Sequence, residues 1–253
     1  MKTIGFIGMG NMAGAIAAGI IQKGLMKKEE VFAYAPHYDK LVANAEKIGF
    51  TPCRELKELV AKTDTLVMAC KPYQIEGVLS EIKEELKGKA LISIAAGWNY
   101  DKYQEFLDES TRLQFIMPNT PAMVGEGVLL FEEKNSLLEE ERAEVKKLFE
   151  ALGIVIELPV HLMGIGGAFI DLIIEALGDA GVKYGVPRKQ AYEMVSQMIL
   201  GSAKLQLETG EHPGVLKDNV CSPAGTTICG VDALEHAGIR AGFIDAIDAI
   251  MNK

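Results

Sequence analysis

The chain has 253 residues, of which 49% are hydrophobic and 24% are charged. This composition is typical of a globular protein with one or two domains rather than of a disordered chain. The net charge of −9 argues against nucleic acid as a partner, because proteins that bind it usually present a basic surface. The sequence contains no run of about 18 or more apolar residues, so we expect no membrane-spanning segment.

The four cysteines and four histidines are scattered along the chain, and no two cysteines have the C-x-x-C spacing of a zinc or redox site. We therefore expect reduced thiols, a cytoplasmic location and no metal site. The apolar N-terminus has some features of a signal peptide, but Asn11 interrupts the run.

The first 157 residues alternate between strand and helix patterns. Short apolar runs predict strands at 3–8, 31–35, 64–70, 90–97 and 112–118. Helical spacing of the apolar residues predicts helices at 11–24, near 38–47, at 74–86 and at 139–153. This alternation predicts βαβ units, and therefore an α/β domain with a doubly wound parallel sheet of Rossmann type.

The pattern changes after residue 158, and no strand pattern remains from Gly164 onward. Helical spacing continues at 166–185, at 187–210, near 225–237 and at 239–251. We therefore predict two domains, 1–157 with the sheet and 164–253 all-helical. The helices of the second domain, especially 164–209, are so apolar that they need a partner chain to cover them.

A glycine motif, Gly-Met-Gly-Asn-Met-Ala at residues 8–13, follows the first predicted strand and opens the first predicted helix. The spacing G-x-G-x-x-A in this position is typical of a dinucleotide-binding fold. Gly8 would form the tight turn, Gly10 would let the backbone approach a diphosphate, and Ala13 would let the helix pack closely on the strand. The alternative is a glycine-rich turn that binds no ligand.

The end of the second predicted strand favours NADPH over NADH. An acidic residue at this point usually binds the ribose 2′-hydroxyl of NAD, but here the chain reads Ala-Pro-His at 35–37 and the first carboxylate is Asp39. A 2′-phosphate would therefore not be repelled, and His37, Lys40 or Arg54 could contact it. Each of these three side chains could instead be an ordinary surface residue.

Three further motifs follow predicted strands, at the sheet edge where ligands of doubly wound folds bind. Two of them are Ala-Cys-Lys-Pro at 69–72 and Ile-Ala-Ala-Gly at 94–97. The third is Met-Pro-Asn-Thr-Pro at 117–121, where two prolines fix a rigid loop around Asn119. This loop could wall a nicotinamide pocket or could be an ordinary turn, and Lys71 could face a phosphate or the solvent.

The stretch 222–227, Ser-Pro-Ala-Gly-Thr-Thr, precedes a predicted helix in the all-helical domain. It would place backbone N–H groups and hydroxyls at a helix N-terminus, which suits a carboxylate. A capped turn between two helices is the alternative interpretation. No hydrolase or metalloenzyme motif stands out, and hydride transfer needs none because the cofactor carries the chemistry.

Together these motifs resemble the pyrroline-5-carboxylate reductase family. The resemblance covers nearly the whole chain, and its most specific part is HPGVLKDNVCSPAGTTICGVDALE at 212–235. It implies reduction of the cyclic imine Δ1-pyrroline-5-carboxylate to L-proline with NADPH, or alternatively with NADH. It also implies a dinucleotide-binding domain, a helical domain for substrate binding and dimerisation, and homodimers that often assemble into rings, commonly decamers.

The resemblance also implies site residues. With Asn119 from the proline loop, the cofactor-binding candidates are Ile7, Gly8, Met9, Gly10, Asn11, Met12, Ala35, Ala69, Cys70, Lys71, Pro72, Ala95, Ala96 and Gly97. The residues implied to hold the substrate carboxylate are Ser222, Ala224, Gly225, Thr226 and Thr227. Thr227 is also the implied catalytic residue, because its hydroxyl would lie beside the substrate nitrogen.

The sequence departs from the family pattern in three places, and the first is the segment that begins at Gly153, which is several residues shorter than usual. Gly-Ile-Gly-Gly-Ala-Phe at 164–169 replaces the usual Gly-Ser-Gly-Pro-Ala-Tyr, and Ala224 replaces the first glycine of the usual Ser-Pro-Gly-Gly. These changes leave open a related imine or β-hydroxyacid reductase, or a nucleotide-binding paralog without activity. The lysine and asparagine of the hydroxyacid enzymes are missing from 164–182, which argues against that alternative.

Overall fold

A computed structural model of the protein describes residues 1–164 and 167–252. These residues form two compact units, Met1–Met163 and a second unit that begins at Gly164. The strands, all in the first unit, are β1 (Ile4–Ile7), β2 (Val31–Tyr34), β3 (Thr51–Pro52), β4 (Thr65–Met68), β5 (Ala90–Ser93), β6 (Arg112–Met117), β7 (Gly127–Asn135) and β8 (Gly153–Leu158).

The α-helices of the first unit are α1 (Asn11–Gln22), α2 (Tyr38–Ile48), α3 (Leu56–Lys62), α4 (Ile75–Ile82), α5 (Tyr100–Gln104) and α6 (Glu139–Glu150). Those of the second unit are α7 (Ala168–Lys183), α8 (Arg188–Thr209), α9 (Pro213–Asn219), α10 (Thr226–His236) and α11 (Ile239–Met251). The predicted helix at 166–185 begins within the described residues at Ala168, because Ile165 and Gly166 lie outside them.

The sheet has the strand order β3-β2-β1-β4-β5-β6-β7-β8. The strand order reverses at β1, because β2 and β3 lie on one side of it and β4 to β8 lie on the other. Strands β1 to β6 are parallel, and the register pairs Ile7 with Met68 and Met68 with Ser93. The carboxyl ends of β1, β4 and β5 therefore meet at one edge, as the predicted doubly wound sheet requires.

One strand departs from the predicted parallel sheet, because β7 runs antiparallel to β6. Only residues 118–126 join these two strands, and a parallel connection needs a crossover of about a dozen residues or more. Helix α6 then supplies such a crossover, and β8 is parallel to β7. The elements that the sequence patterns did not predict are β3, α3, α5, β7, β8 and α9, of which all but β7 and β8 are short.

The sheet carries a hydrophobic core on each face. Consecutive residues of β1 point to opposite faces, so that Phe6 belongs to one buried cluster and Ile7 to the other. Side chains of α1, α2 and α6 complete the first cluster, and side chains of α3, α4 and α5 complete the second. A central strand buried on both faces explains the continuous apolar sequence of β1.

The helical unit buries very little. Among residues 167–252, only Gly178 and Ala191 are buried. Large apolar side chains stay exposed instead, among them Leu172 (65% exposed), Leu207 (72%) and Ile244 (62%). Apolar surface of this kind, spread over several helices, is typical of a protein–protein contact.

All four cysteines have free thiols, as the sequence predicts. No cluster of three or more His, Cys, Asp or Glu side chains suited to a metal ion occurs within residues 1–164 and 167–252. Over the same residues, no helix combines the length and the hydropathy that a bilayer span requires.

Candidate functional site

The turn after β1 depends on a glycine. Gly8 has φ +97°, a conformation that L-residues with a side chain rarely adopt. A Cβ added there would lie 2.8 Å from the Cys70 nitrogen and 2.9 Å from the Ala69 carbonyl group. The Gly8 N–H also donates to the Tyr34 carbonyl at 2.8 Å. The end of β1 is thus held closely between the end of β2 and the chain segment that follows β4.

The N-terminus of α1 is arranged for an anion. Gly10 is the residue that caps it, and a Cβ added to Gly10 would have no described atom within 4 Å. The first N–H groups of an α-helix have no partner within the helix, and the helix dipole adds positive charge there. The first turn of α1 contains no acidic residue that would compete for these groups. A diphosphate therefore fits the open space over Gly10.

A cavity of about 390 Å³ opens at this point, along the carboxyl ends of β1, β2 and β4. Eight predicted cofactor residues line it: Ile7, Gly8, Met9, Gly10, Ala35, Ala69, Cys70 and Lys71. His37 and Lys40, the candidates for a 2′-phosphate contact, belong to the same lining. Tyr34, Leu41, Asn44, Gln74 and Val78 also line the cavity and were not predicted. Helical spacing from His37 through Lys40 to Asn44 would have indicated that one face of α2 borders the cavity.

Other predicted cofactor residues lie outside this lining: Asn11, Met12, Pro72, Ala95, Ala96, Gly97 and Asn119. Asn11 and Met12 begin α1, and Pro72 follows Lys71 directly. The Asn119 side chain accepts a hydrogen bond from the Val128 N–H at 2.9 Å, so it fixes the β6–β7 loop. Residues 95–97 follow β5 at the same sheet edge as the cavity.

The charge of the cavity suits a polyanion. Its lining includes Lys40 and Lys71, and none of its described lining residues is acidic. Arg54 is not part of the lining, because its guanidinium group lies over the Tyr38 ring, 4.2 Å from the centroid. Burial raises the pKa of the Cys70 thiol to about 11, so this side chain is neutral at physiological pH.

The stretch 222–227 forms a tight turn that leads into α10. The Gly225 N–H donates to the Ser222 carbonyl at 3.0 Å, and a Cβ added to Gly225 would lie 2.3 Å from the Ser222 Oγ. Gly225 caps α10, whose first residues are Thr226 and Thr227, both exposed. The turn therefore presents hydroxyls and unpaired helical N–H groups together.

Ala224, the third residue of this turn, has φ +56°. It is the only residue other than glycine with positive φ among residues 1–164 and 167–252. The left-handed conformation costs an L-residue about 1–2 kcal/mol. The turn thus keeps a geometry suited to glycine, although this sequence places alanine there.

Comparisons with known proteins cover the whole chain. A family model described as "Pyrroline-5-carboxylate reductase dimerisation" matches residues 156–253, and one described as "NADP oxidoreductase coenzyme F420-dependent" matches 3–97. The pyrroline-5-carboxylate reductase of Escherichia coli is 40% identical over 260 residues, covering 100% of this chain and 97% of the relative. That of Methanosarcina acetivorans is 41% identical over 97% of this chain and 94% of its own.

The chain belongs to the pyrroline-5-carboxylate reductase family.

A solved structure supports the same assignment. The Plasmodium falciparum pyrroline carboxylate reductase with NADP bound has a TM-score of 0.89 and 32% identity, over 99% of this chain and 96% of that one. The predicted fold class, with a Rossmann-type domain and a second helical domain, is confirmed by this likeness. Of the unusual stretch at 164–169, Ile165 and Gly166 lie outside the described residues, whereas Gly167 caps α7 and Phe169 lies in its first turn.

We predict that Gly10→Ala lowers the affinity for NADPH at least tenfold while leaving the free energy of unfolding nearly unchanged. The added methyl group meets no described protein atom but would occupy the space that a diphosphate needs. Affinity is measured by nucleotide fluorescence and stability by urea unfolding. Gly8→Ala is the control, and it should lower both the affinity for NADPH and the free energy of unfolding, because its methyl group would clash with backbone atoms. Unchanged NADPH affinity in Gly10→Ala would contradict the assignment.

We predict that Ala224→Gly raises the free energy of unfolding by about 0.5–1 kcal/mol. Glycine removes the cost of the left-handed conformation, and its greater freedom in the unfolded chain offsets part of that gain. The measurement is urea unfolding at a fixed protein concentration. The matched control is Ala237→Gly at the end of α10, where φ is −73° and glycine should destabilise the fold. An equal loss of stability in both variants would show that Ala224 is unstrained.

Proposed function

We propose that this protein reduces 1-pyrroline-5-carboxylate to L-proline by hydride transfer from NADPH, the last step of proline biosynthesis. The observation that carries the proposal is the identity of about two residues in five, over the full length, with reductases of this name. The cavity at the glycine turn, whose charge suits a polyanion, supports it. The enzyme is an NAD(P)H-dependent oxidoreductase, with NADH as the alternative donor.

The residues of the first unit fit a dinucleotide. The turn from Ile7 to Met12 would hold the diphosphate on the N–H groups of α1, and Ala35 would border the adenosine ribose. His37 and Lys40 lie at the start of α2, just after Ala35, and both line the cavity. They are the side chains that could hold a 2′-phosphate. When bound, the reduced nicotinamide supplies a hydride. Residues 69–72 and 95–97 would position its ring at the sheet edge.

The residues of the second unit fit a small carboxylate. Backbone N–H groups and hydroxyls from Ser222 to Thr227 would bind the carboxylate, as an anion binds at a helix N-terminus. The Thr227 hydroxyl would hydrogen-bond the ring nitrogen. The imine accepts hydride at carbon most easily when that nitrogen is protonated, and the product then carries the proton as an amine. Because an iminium ion is already electrophilic, a weak donor such as a threonine hydroxyl is sufficient.

The two domains would divide this work. Residues 1–157 form the dinucleotide-binding domain, and residues 164–253 bind the substrate and hold the subunits together. The family model for the helical part describes dimerisation, and the exposed leucines of α7 and α8 supply an apolar surface for it. The protein is a homo-oligomer, and we propose a dimer that can assemble further into a decameric ring. We also propose a cytoplasmic location, with neither nucleic acid nor membrane as a partner.

The experiment that tests the function follows NADPH absorbance after addition of 1-pyrroline-5-carboxylate, with NADH run in parallel. Rapid NADPH oxidation and formation of proline are the expected result. Binding of NADPH without oxidation would instead favour a reductase of a related imine or hydroxyacid, or a nucleotide-binding paralog. Ala224 and the 164–169 stretch would then be the first positions to restore to the family pattern.

We predict that Thr227→Ala lowers kcat at least tenfold while changing the dissociation constant of NADPH by less than twofold. The hydroxyl is proposed to act on the substrate nitrogen, whereas the nucleotide cavity lies in the other unit. Steady-state kinetics and a separate NADPH titration measure the two effects. Thr227→Ser keeps the hydroxyl and should retain most of kcat. Equal losses in kcat and NADPH affinity would refute this role.

We predict that Lys40→Gln raises the KM for NADPH about five- to tenfold and leaves the KM for NADH unchanged. The side chain lines the cavity beside the end of β2, where the 2′-phosphate of NADPH would lie and where NADH has only a hydroxyl. Steady-state kinetics with both nucleotides is the measurement. Lys47→Gln, at the exposed far end of α2, is the control. A parallel rise in both KM values would contradict a 2′-phosphate contact.

A further inference from the structure

The Tyr103 hydroxyl is buried without a hydrogen-bond partner. Tyr103 lies in α5 with a relative exposure of 0%, and its oxygen forms no hydrogen bond of good geometry with any described residue. Burial raises the pKa of this phenol well above its ordinary value, and the Ser93 hydroxyl, which lies nearby but outside hydrogen-bonding geometry, lowers it in part. A buried donor without a partner costs free energy, so the unpaired Tyr103 hydroxyl needs a physical reason.

Ser93 connects this hydroxyl to the turn that follows β5. Ser93 is fully buried, and its Oγ accepts a hydrogen bond from the Ala95 N–H at 3.3 Å, which is long for such a bond. The Trp98 N–H donates to the Ala95 carbonyl at 3.1 Å, and Gly97 has φ +77°. Residues 95–98 therefore form a β-turn with glycine at its third position, as a type II turn requires.

Aromatic packing fixes the far end of the same turn. The Trp98 ring lies 5.0 Å from the Tyr103 ring and 5.3 Å from the Phe106 ring, measured between centroids. Trp98 is itself only 2% exposed. The Tyr103 ring therefore packs against Trp98 at the last position of the turn. Its hydroxyl lies near Ser93, two residues before the first position of the turn.

The arrangement lies next to the nucleotide cavity. Cys70, which lines the cavity, packs against the same buried cluster that contains Tyr103. Ser93 ends β5, and its register partner Met68 ends β4, two residues before Cys70. The Tyr103 hydroxyl thus lies near the end of β5, which continues into residues 95–97, and β5 pairs with β4, which continues into residues 69–72.

We propose that Tyr103 is a positioning residue for the nicotinamide end of the dinucleotide. Its hydroxyl hydrogen-bonds Ser93 when the 95–97 turn closes on the bound nucleotide, and Ser93 in turn fixes the Ala95 N–H. The proposal rests on the proposed function, since it needs the turn to contact the cofactor. It assigns a role to a buried side chain that touches neither substrate nor cofactor.

The test is Tyr103→Phe, which removes the hydroxyl and keeps the ring. The chain has a single tryptophan, Trp98, so quenching of its fluorescence by NADPH reports binding beside this turn. We expect the NADPH dissociation constant to rise about fivefold, the amount that one hydrogen bond contributes. The KM for the imine should stay unchanged. The urea midpoint without nucleotide should stay equal or rise, because the variant removes an unsatisfied buried group.

Two further variants sharpen the test. Ser93→Ala should weaken NADPH binding to a similar degree, and the double variant should be no weaker than either single one. Tyr100→Phe, in the same helix but only partly buried, is the matched control and should bind NADPH normally.

A lowered urea midpoint with unchanged NADPH affinity in Tyr103→Phe would overturn the proposal and show a merely structural role. Additive losses in the double variant would also overturn it. If the wild-type protein quenches with NADPH but reduces no imine, the proposed reaction fails while this test still stands. If the wild-type protein binds no NADPH, both fail.

Discussion

The close approach of the chain at Gly8 is the constraint on which the rest of the first unit depends. A Cβ at Gly8 would lie within 3 Å of the backbone at Ala69 and Cys70, and only glycine adopts the required conformation without cost. Because the turn is so tight, α1 begins with only three residues between it and the end of β1. Its unpaired N–H groups then face the cavity between the ends of β1, β2 and β4.

The turn before α10 also depends on a glycine, but it presents side-chain hydroxyls as well as helical N–H groups. There a glycine lets the Ser222 hydroxyl approach the backbone, and the following helix again begins without a side-chain cap. We propose the diphosphate as the ligand of the first helix start and a carboxylate as the ligand of the second. Neither needs a fixed positive side chain, which agrees with an acidic protein that handles anionic ligands.

The strand ends and the glycine motif could be predicted because their signals are local. A buried strand reads as a short apolar run, and the residues just after it must lie at the sheet edge. Other features arise only from tertiary structure. The two-residue strand β3 is too short to give a period, and the reversed direction of β7 depends on the length of the loop before it.

The candidate site also combines residues with a local sequence signal and residues that only the tertiary structure brings in. Gly8 and Gly10 are recognisable from spacing alone, whereas Gln74 and Val78 reach the cavity only because α4 packs beside β4. The unpaired hydroxyl of Tyr103 has no signature in the sequence at all. A tyrosine among apolar residues has the same pattern whether its oxygen finds a partner or not.

The scarcity of buried residues in the helical unit has a thermodynamic consequence. A segment that buries almost nothing by itself cannot offset its own conformational entropy, so most of its folding free energy must come from contacts with another chain. Folding and association then become a single equilibrium. Dilution would loosen α7 and α8 before it affects the sheet, and the melting temperature of this part would rise with protein concentration.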